Sequence, residues 1–206
     1  MKKPAVSTTS KWNSTRMNDL KDLDWDATIA LNDWGNDVVD LFFNTITHKL
    51  YSIPLYLVLL YFFYKKLGWK NTMISVVAIA ILIAASDQIA NLFKDGFERL
   101  RPFREPALDG LISKVGRSGG TFGFYSAHAS SAVGLATFVC LLLWNTQRLL
   151  CVVTIIWAML VAYSRVYLGL HYLGDILMGA VMGILLGLIC FKLFAFAKAR
   201  YGTKTK

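Results

Sequence analysis

Apolar residues gather in five runs, at about 53–69, 72–93, 128–144, 149–163 and 176–197. Each is close to the roughly 17–25 residues that a bilayer-spanning helix needs. The run at 149–163 is the shortest, and a buried core helix is the alternative for it. Ahead of the runs, Leu20 to Leu50 carries Leu23, Trp25, Ile29, Leu31, Trp34, Val38, Val39, Leu41, Phe42, Phe43 and Ile46, interrupted by acids and asparagines. That stretch is too polar to span and too periodic to be a loop. It predicts one or two amphipathic helices in the membrane interface, with Trp25 and Trp34 at headgroup depth. A sixth, poor span is the competing reading. Residues 1–19, rich in Ser, Thr, Lys and Asn and without a period, predict a flexible tail. The pattern as a whole predicts an all-α, polytopic membrane helix bundle of five to six transmembrane helices. Residues 20–50 form its amphipathic N-terminal region, 53–197 its transmembrane bundle and 198–206 a basic cytoplasmic tail.

Composition agrees with this reading. Of 206 residues, 55% are hydrophobic and only 17% charged, against ~25% charged in ordinary soluble domains; mean hydropathy is +0.47. Cys140, Cys151 and Cys190 fall inside apolar runs without ligand spacing and read as small buried hydrophobes. Polar residues follow Met1-Lys2-Lys3-Pro4, so no cleaved signal peptide is expected. Gly179, Gly183 and Gly187 repeat at every fourth position of the last run, a face suited to close helix packing.

The net charge of +9 matters through its placement. Lys65, Lys66, Lys70, Arg148, Lys198, Arg200, Lys204 and Lys206 all fall on one side of a five-span arrangement, and no acid joins them. The positive-inside tendency makes that side cytoplasmic. The loops 94–127 and 164–175 then open on the opposite, periplasmic side. A nucleic-acid partner is not expected, since no basic stripe with interleaved aromatics lies outside the membrane turns.

Three constellations sit on that opposite side. Lys94 and Arg101 are seven residues apart, two turns of a helix that Pro102 would end, so both project from one face at the bundle mouth. Arginine offers a fork for phosphoryl oxygens and lysine a point charge; the simpler reading is a pair of headgroup anchors. In Gly119 to Ala132 a Gly-rich loop runs into the third span, where Ser126 and the helix N-terminal amides suit an anion and His128 stands on the first turn. An N-cap serine followed by an interfacial histidine is equally compatible. In Ser164 to Asp175, His171 and Asp175 share a face if Gly169 to Asp175 begins a helix, which permits a carboxylate to steer an imidazole. Asp87, inside the second span with Asn91 and Lys94 on its face, is a functional candidate or a structural partner of its neighbours.

Lys94-x6-Arg101-Pro102, then Ser126-x-His128, then Ser164-Arg165-x5-His171-x3-Asp175, in this order, resembles the type-2 phosphatidic-acid phosphatase (PAP2) superfamily of membrane lipid phosphatases over roughly residues 20–197. The second motif departs from the family's usual Pro-Ser-Gly-His, reading Tyr125-Ser126-Ala127-His128. The resemblance implies that His171 attacks phosphorus to form a phosphohistidine, that Asp175 fixes its tautomer, and that His128 protonates the leaving oxygen. It implies that Lys94, Arg101, Ser126, the Ala127 amide and Arg165 hold the phosphoryl oxygens, without metal or cofactor. The expected partners are membrane lipids and a lipid phosphate substrate, met at the outer face of the inner (cytoplasmic) membrane. Undecaprenyl diphosphate is the expected substrate, with lipid A and phosphatidylglycerophosphate as alternatives. A non-catalytic phospholipid-binding membrane protein would need neither His171 nor Asp175.

Overall fold

The computed structural model describes residues 8–116 and 119–203. Among them are six α-helices and no strand: α1 (Thr8–Asn32), α2 (Asp37–Ile46), α3 (Ile53–Phe97), α4 (Ala127–Leu143), α5 (Arg148–Tyr167) and α6 (Leu173–Tyr201). The structure is a helical membrane bundle. Three of its helical segments, Leu50–Phe97, Arg148–Tyr167 and Leu173–Tyr201, are long and apolar enough to cross a bilayer, and α4 is a shorter apolar helix.

The segment counted as α3 contains two of the expected runs. Gly68 breaks it, with φ 73° and ψ 170°, a conformation a side chain would strain. The chain reverses there: Ser52 and Tyr56, before the break, line the same cavity as Ile83 and Asp87, after it. Phe63 and Leu82 likewise join one core cluster with Leu135 and Phe138 of α4.

Glycines set the distance between α4 and α6. A Cβ on Gly179 would lie 2.6 Å from the Ser126 carbonyl oxygen, one on Gly187 2.7 Å from that of Gly134, and one on Gly183 would overlap the Ser130 carbonyl. Close backbone approach is what small residues at this spacing provide.

Hydrogen bonds gather the basic turns at one end. Lys66 Nζ donates to Leu142 O at 2.6 Å, and Asn71 exchanges bonds with Thr203, donating to its carbonyl at 3.0 Å and accepting from its amide at 3.2 Å. Asn36 starts α2 by accepting from the Val38 and Val39 amides. Neither α1 nor α2 qualifies as a sixth span, and both pack on α5.

Two expected boundaries shift. Residues 8–19, expected as tail, belong to α1, while residues 1–7 lie outside the described residues. The basic tail expected over 198–206 begins inside α6, and residues 204–206 also lie outside the description.

Candidate active site

The site end is built where three chain segments meet: the loop after α3, the start of α4, and the α5–α6 connection. That connection turns sharply at Gly169, φ 70°, where a Cβ would sit 3.0 Å from the Ser113 carbonyl. The turn places His171 one residue before Tyr172, the N-cap of α6, so His171 is not helical. The expected helix from Gly169 is therefore replaced by a loop and a capping box. Asp175, three residues into the cap, accepts the Tyr172 amide on Oδ2 at 3.1 Å. The same Oδ2 faces His171 Nδ1 at 3.4 Å. The pairing exists, but cap geometry makes it, not a shared helical face.

Arg101 reaches the same point by a different route from the one its spacing predicts. Helix α3 ends at Phe97, with Glu98 left-handed as its C-cap, five residues before Pro102. Arg101 instead lies beside an isolated antiparallel bridge between Leu100 and Phe122. Its Nε donates to Phe122 O at 3.1 Å, and its Nη1 donates to Leu170 O at 3.0 Å and faces His171 Nε2 at 3.3 Å. A Cβ on Gly119 would lie 2.7 Å from the guanidinium carbon, and one on Gly123 3.1 Å from Arg101 Cγ, so the Gly-rich loop leaves the arginine its room.

His171 and Asp175 are buried, 2% and 0% exposed. Burial pushes the His171 imidazole down to about 4; Asp175 opposes this, and Arg101 and Arg165 reinforce it. The ring is therefore neutral near pH 7. With Nε2 against a guanidinium, which only donates, the ring proton belongs on Nδ1, toward Asp175. Burial also lowers the Arg101 pKa, Asp175 pulls it back, and Arg104 adds to the lowering.

Arg165, in the last turn of α5, donates to Thr47 Oγ1 at 2.6 Å, yet its buried Nε has no hydrogen-bond partner among the described residues. Lys94 bonds Asn91 Oδ1 at 3.2 Å and lies within the electrostatic reach of Arg101, Arg165 and Asp87. Ser126 is the N-cap of α4: its Oγ accepts the Ala129 amide at 3.4 Å, and its own amide donates to Asp175 O at 3.1 Å. Ala127 is the first residue of α4 and is buried. His128 opens on a cavity of about 250 Å³, shared with Thr47, Ser52, Asp87, Ser131 and Trp157. Among the described residues, no three His, Cys, Asp or Glu side chains converge as a metal ion would require.

Direct contact thus joins Arg101, His171 and Asp175, and the Ser126 amide seats Asp175. Arg165 and Lys94 act on them through charge. His128 faces the adjoining cavity.

Residues 72–199 match the PAP2 superfamily. The chain belongs to this superfamily. It is 38% identical over 168 residues, 80% of this chain and 73% of the relative, to a lipid A 4'-phosphatase of Bacteroides thetaiotaomicron. It is 29% identical to a lipid A 4'-phosphatase of Porphyromonas gingivalis, over 84% of this chain and 73% of that one. A third relative, 27% identical over 78% of this chain and 75% of that one, is the phosphatidylglycerophosphatase B of Bacillus subtilis. The fold resembles the crystal structure of a transmembrane PAP2-type phosphatidylglycerolphosphate phosphatase from Bacillus subtilis, at TM-score 0.66, 18% identity and coverage of 92% and 90% of the two chains. Aquifex aeolicus LpxE gives TM-score 0.58 at 24% identity, over 81% and 93%. The chain is a multi-pass membrane lipid phosphatase of the PAP2 superfamily.

Arg99, Asp24, Thr28 and Asn32 were not among the residues singled out by motif. Arg99 Nη1 bonds Asp175 Oδ1 at 2.8 Å and Nη2 bonds Asp24 Oδ2 at 2.6 Å. Thr28 Oγ1 accepts the Leu173 amide at 3.0 Å, and Asn32 Nδ2 donates to Tyr167 O at 2.7 Å. A polar seam at every fourth position of α1 was the only signal in the sequence. It gave a face and no partner.

Proposed function

We propose that this phosphatase removes a phosphate monoester from a phosphorylated glycolipid of the lipid A class, through a phosphohistidine on His171, at the outer face of the inner membrane. The observation that carries the reading is the seat of the His171 ring, with Nδ1 at 3.4 Å from Asp175 Oδ2 and Nε2 at 3.3 Å from Arg101 Nη1. An arriving phosphoryl group takes the Arg101 guanidinium for one of its oxygens and leaves the Nε2 lone pair aimed at phosphorus. The unpaired Arg165 Nε and the Lys94 ammonium supply further donors as charge builds on the equatorial oxygens. Asp175 stabilises the imidazole as it gains positive charge. His128, facing the cavity, protonates the leaving oxygen and then draws a proton from the attacking water. Ser126 and the Ala127 amide lie at the α4 N-terminus, whose dipole favours the anion.

The cavity favours a sugar over a prenyl phosphate as leaving group. Thr47, Ser52, Ser131 and Asp87 offer hydrogen-bonding partners to hydroxyl groups, while Ile83, Leu135 and Trp157 line the rest with apolar surface. A diphosphate would direct its second phosphate, as a charged leaving group, toward the Asp87 carboxylate. Two of the relatives carry the name lipid A 4'-phosphatase. Undecaprenyl diphosphate, the substrate first expected, has no comparable support, and the alternative takes its place. The outward placement rests on the basic residues gathered at the far end.

The test is phosphate release by the detergent-solubilised protein in EDTA from lipid A, phosphatidylglycerophosphate and undecaprenyl diphosphate, with His171→Ala beside each. Release chiefly from lipid A, at least ~10³-fold weaker in His171→Ala, is expected. Preference for the diphosphate overturns the substrate assignment; activity surviving in His171→Ala overturns the nucleophile.

A further inference from the structure

We propose that Arg99 and Asp24 are positioning residues for the hydrolysis: Asp24 of α1 aims the Arg99 guanidinium at Asp175, which fixes the orientation and charge balance of the carboxylate behind His171. The proposal rests on the phosphohistidine reading but not on the identity of the lipid.

A continuous chain of contacts carries it. Asp175 Oδ2 faces His171 Nδ1, and its other oxygen, Oδ1, accepts Arg99 Nη1 at 2.8 Å. Arg99 uses its second nitrogen, Nη2, for Asp24 Oδ2 at 2.6 Å. Asp24 is held in turn, because its Oδ1 accepts the Gly174 amide at 2.7 Å. That amide belongs to the first turn of α6, the helix that carries Asp175. Asp24 therefore ties Arg99 to the same helix end as the carboxylate that Arg99 holds. The guanidinium also lies 3.9 Å over the Tyr172 ring, which limits its tilt. A Cβ on Gly174 would come 3.0 Å from Asp24 Oδ2, so the close approach uses the missing side chain there.

Charge decides what this arrangement does. Asp175 is fully buried, and an ionised carboxylate without a partner there would be costly. Arg99 pairs with it while remaining 27% exposed along its side chain, and Asp24 is 17% exposed. Four charges act on His171 or its partner from different elements: Asp175 of α6, Arg101 of the loop after α3, Arg165 of α5, and Arg99 through Asp175. On the outer side of Arg99, Glu98, Glu105 and Lys21 line an open pocket with it. Without Arg99 the positive charge behind Asp175 is lost, and the buried His171 imidazole binds a proton more readily. That proton takes up the Nε2 lone pair and blocks the nucleophile.

The two residues therefore give opposite signatures. Arg99→Gln removes a positive charge, so the acid limb of kcat/KM moves up by about one pH unit. The rate at the optimum falls about 10- to 100-fold. Asp24→Asn removes a negative charge and frees Arg99 for Asp175, so its limb moves down, with a loss under about tenfold. Arg99→Lys keeps the charge but not the fork, so its limb stays in place while kcat falls several-fold. The experiment measures these pH profiles on the full chain in detergent micelles, with whichever of the three lipids the unaltered protein hydrolyses fastest, beside thermal melting of each variant. A purely structural role lowers activity with every limb in place, and that result overturns the proposal. So do limbs that move the same way in Arg99→Gln and Asp24→Asn. Should Arg99→Gln not fold, Arg99→Lys with a raised limb or Asp24→Asn with a raised limb overturns it as well. Survival of activity in His171→Ala overturns the phosphohistidine reading and this proposal together; an inactive His171→Ala beside an unmoved Arg99→Gln limb overturns this proposal alone.

Discussion

Between α4 and α6 the chain is held by backbone against backbone, with Gly179, Gly183 and Gly187 admitting the carbonyls of Ser126, Ser130 and Gly134. Around Asp175 it is held by charged and amide groups drawn from α1, the loop after α3, and the α5–α6 connection. The first contact comes from one short repeat along one helix. The second needs residues 75 to 150 positions apart to meet. Dispersion and close approach give a platform, and polar pairing then orients His171 and Asp175 on top of it. The difference teaches why a membrane enzyme places its charges at the ends of the bundle: within it, packing is cheap and polar groups are costly, while at a mouth charged groups find partners.

Substitutions on either side separate the two kinds of support. The largest effect is expected at Gly183, where a side chain meets the Ser130 carbonyl and the Gly134 amide. Gly183→Leu should cost more than about 3 kcal/mol and leave little monodisperse protein in detergent, by overpacking a contact with no slack. A normal yield and melting temperature would show that α4 and α6 can part without loss. Asn32 comes next. It is buried, donates to the Val166 and Tyr167 carbonyls, and exchanges bonds with Ser113. Asn32→Ala leaves those groups unpaired and should cost about 1–3 kcal/mol. Amide exchange across residues 166–175 should rise with it, and unchanged protection there would mean that α1 does not hold the site connection. The smallest effect is expected at Lys66, which bonds the Leu142 carbonyl and Thr146 at the opposite end. Lys66→Met should cost at most about 1 kcal/mol and leave kcat unchanged. A loss of catalysis there would tie the basic end to the chemistry and dissolve the contrast.

Much of this molecule is legible in its sequence, for identifiable reasons. The apolar runs announce helices because a bilayer demands length and apolar surface together. The glycine repeat announces a packing face because its period matches the helix. Histidine, arginine and aspartate in the ordered motifs come together in space, with Arg101, His171 and Asp175 in direct contact. The local geometry, however, differs from the spacing argument in two places. Lys94 and Arg101 do not share a helical face, since α3 ends at Phe97. His171 lies before α6 and meets Asp175 through a capping box. A count of residues cannot tell a helical neighbour from a residue brought back by a turn, because both reach the same few ångströms.

The sequence alone determined what depends on neighbours along the chain: the apolar segments, the break near Gly68, the small-residue face of α6, and the turns that carry basic residues without acids. The tertiary structure decided what depends on neighbours in space. Arg99 is one more charge at a helix end until α1 brings Asp24 beside it and α6 presents Asp175. Hydrophobic periodicity is written locally because each residue meets the solvent for itself. A hydrogen-bonded charge has no meaning until its partner arrives, and here that partner comes from α1, 150 positions along the chain from Gly174 of α6.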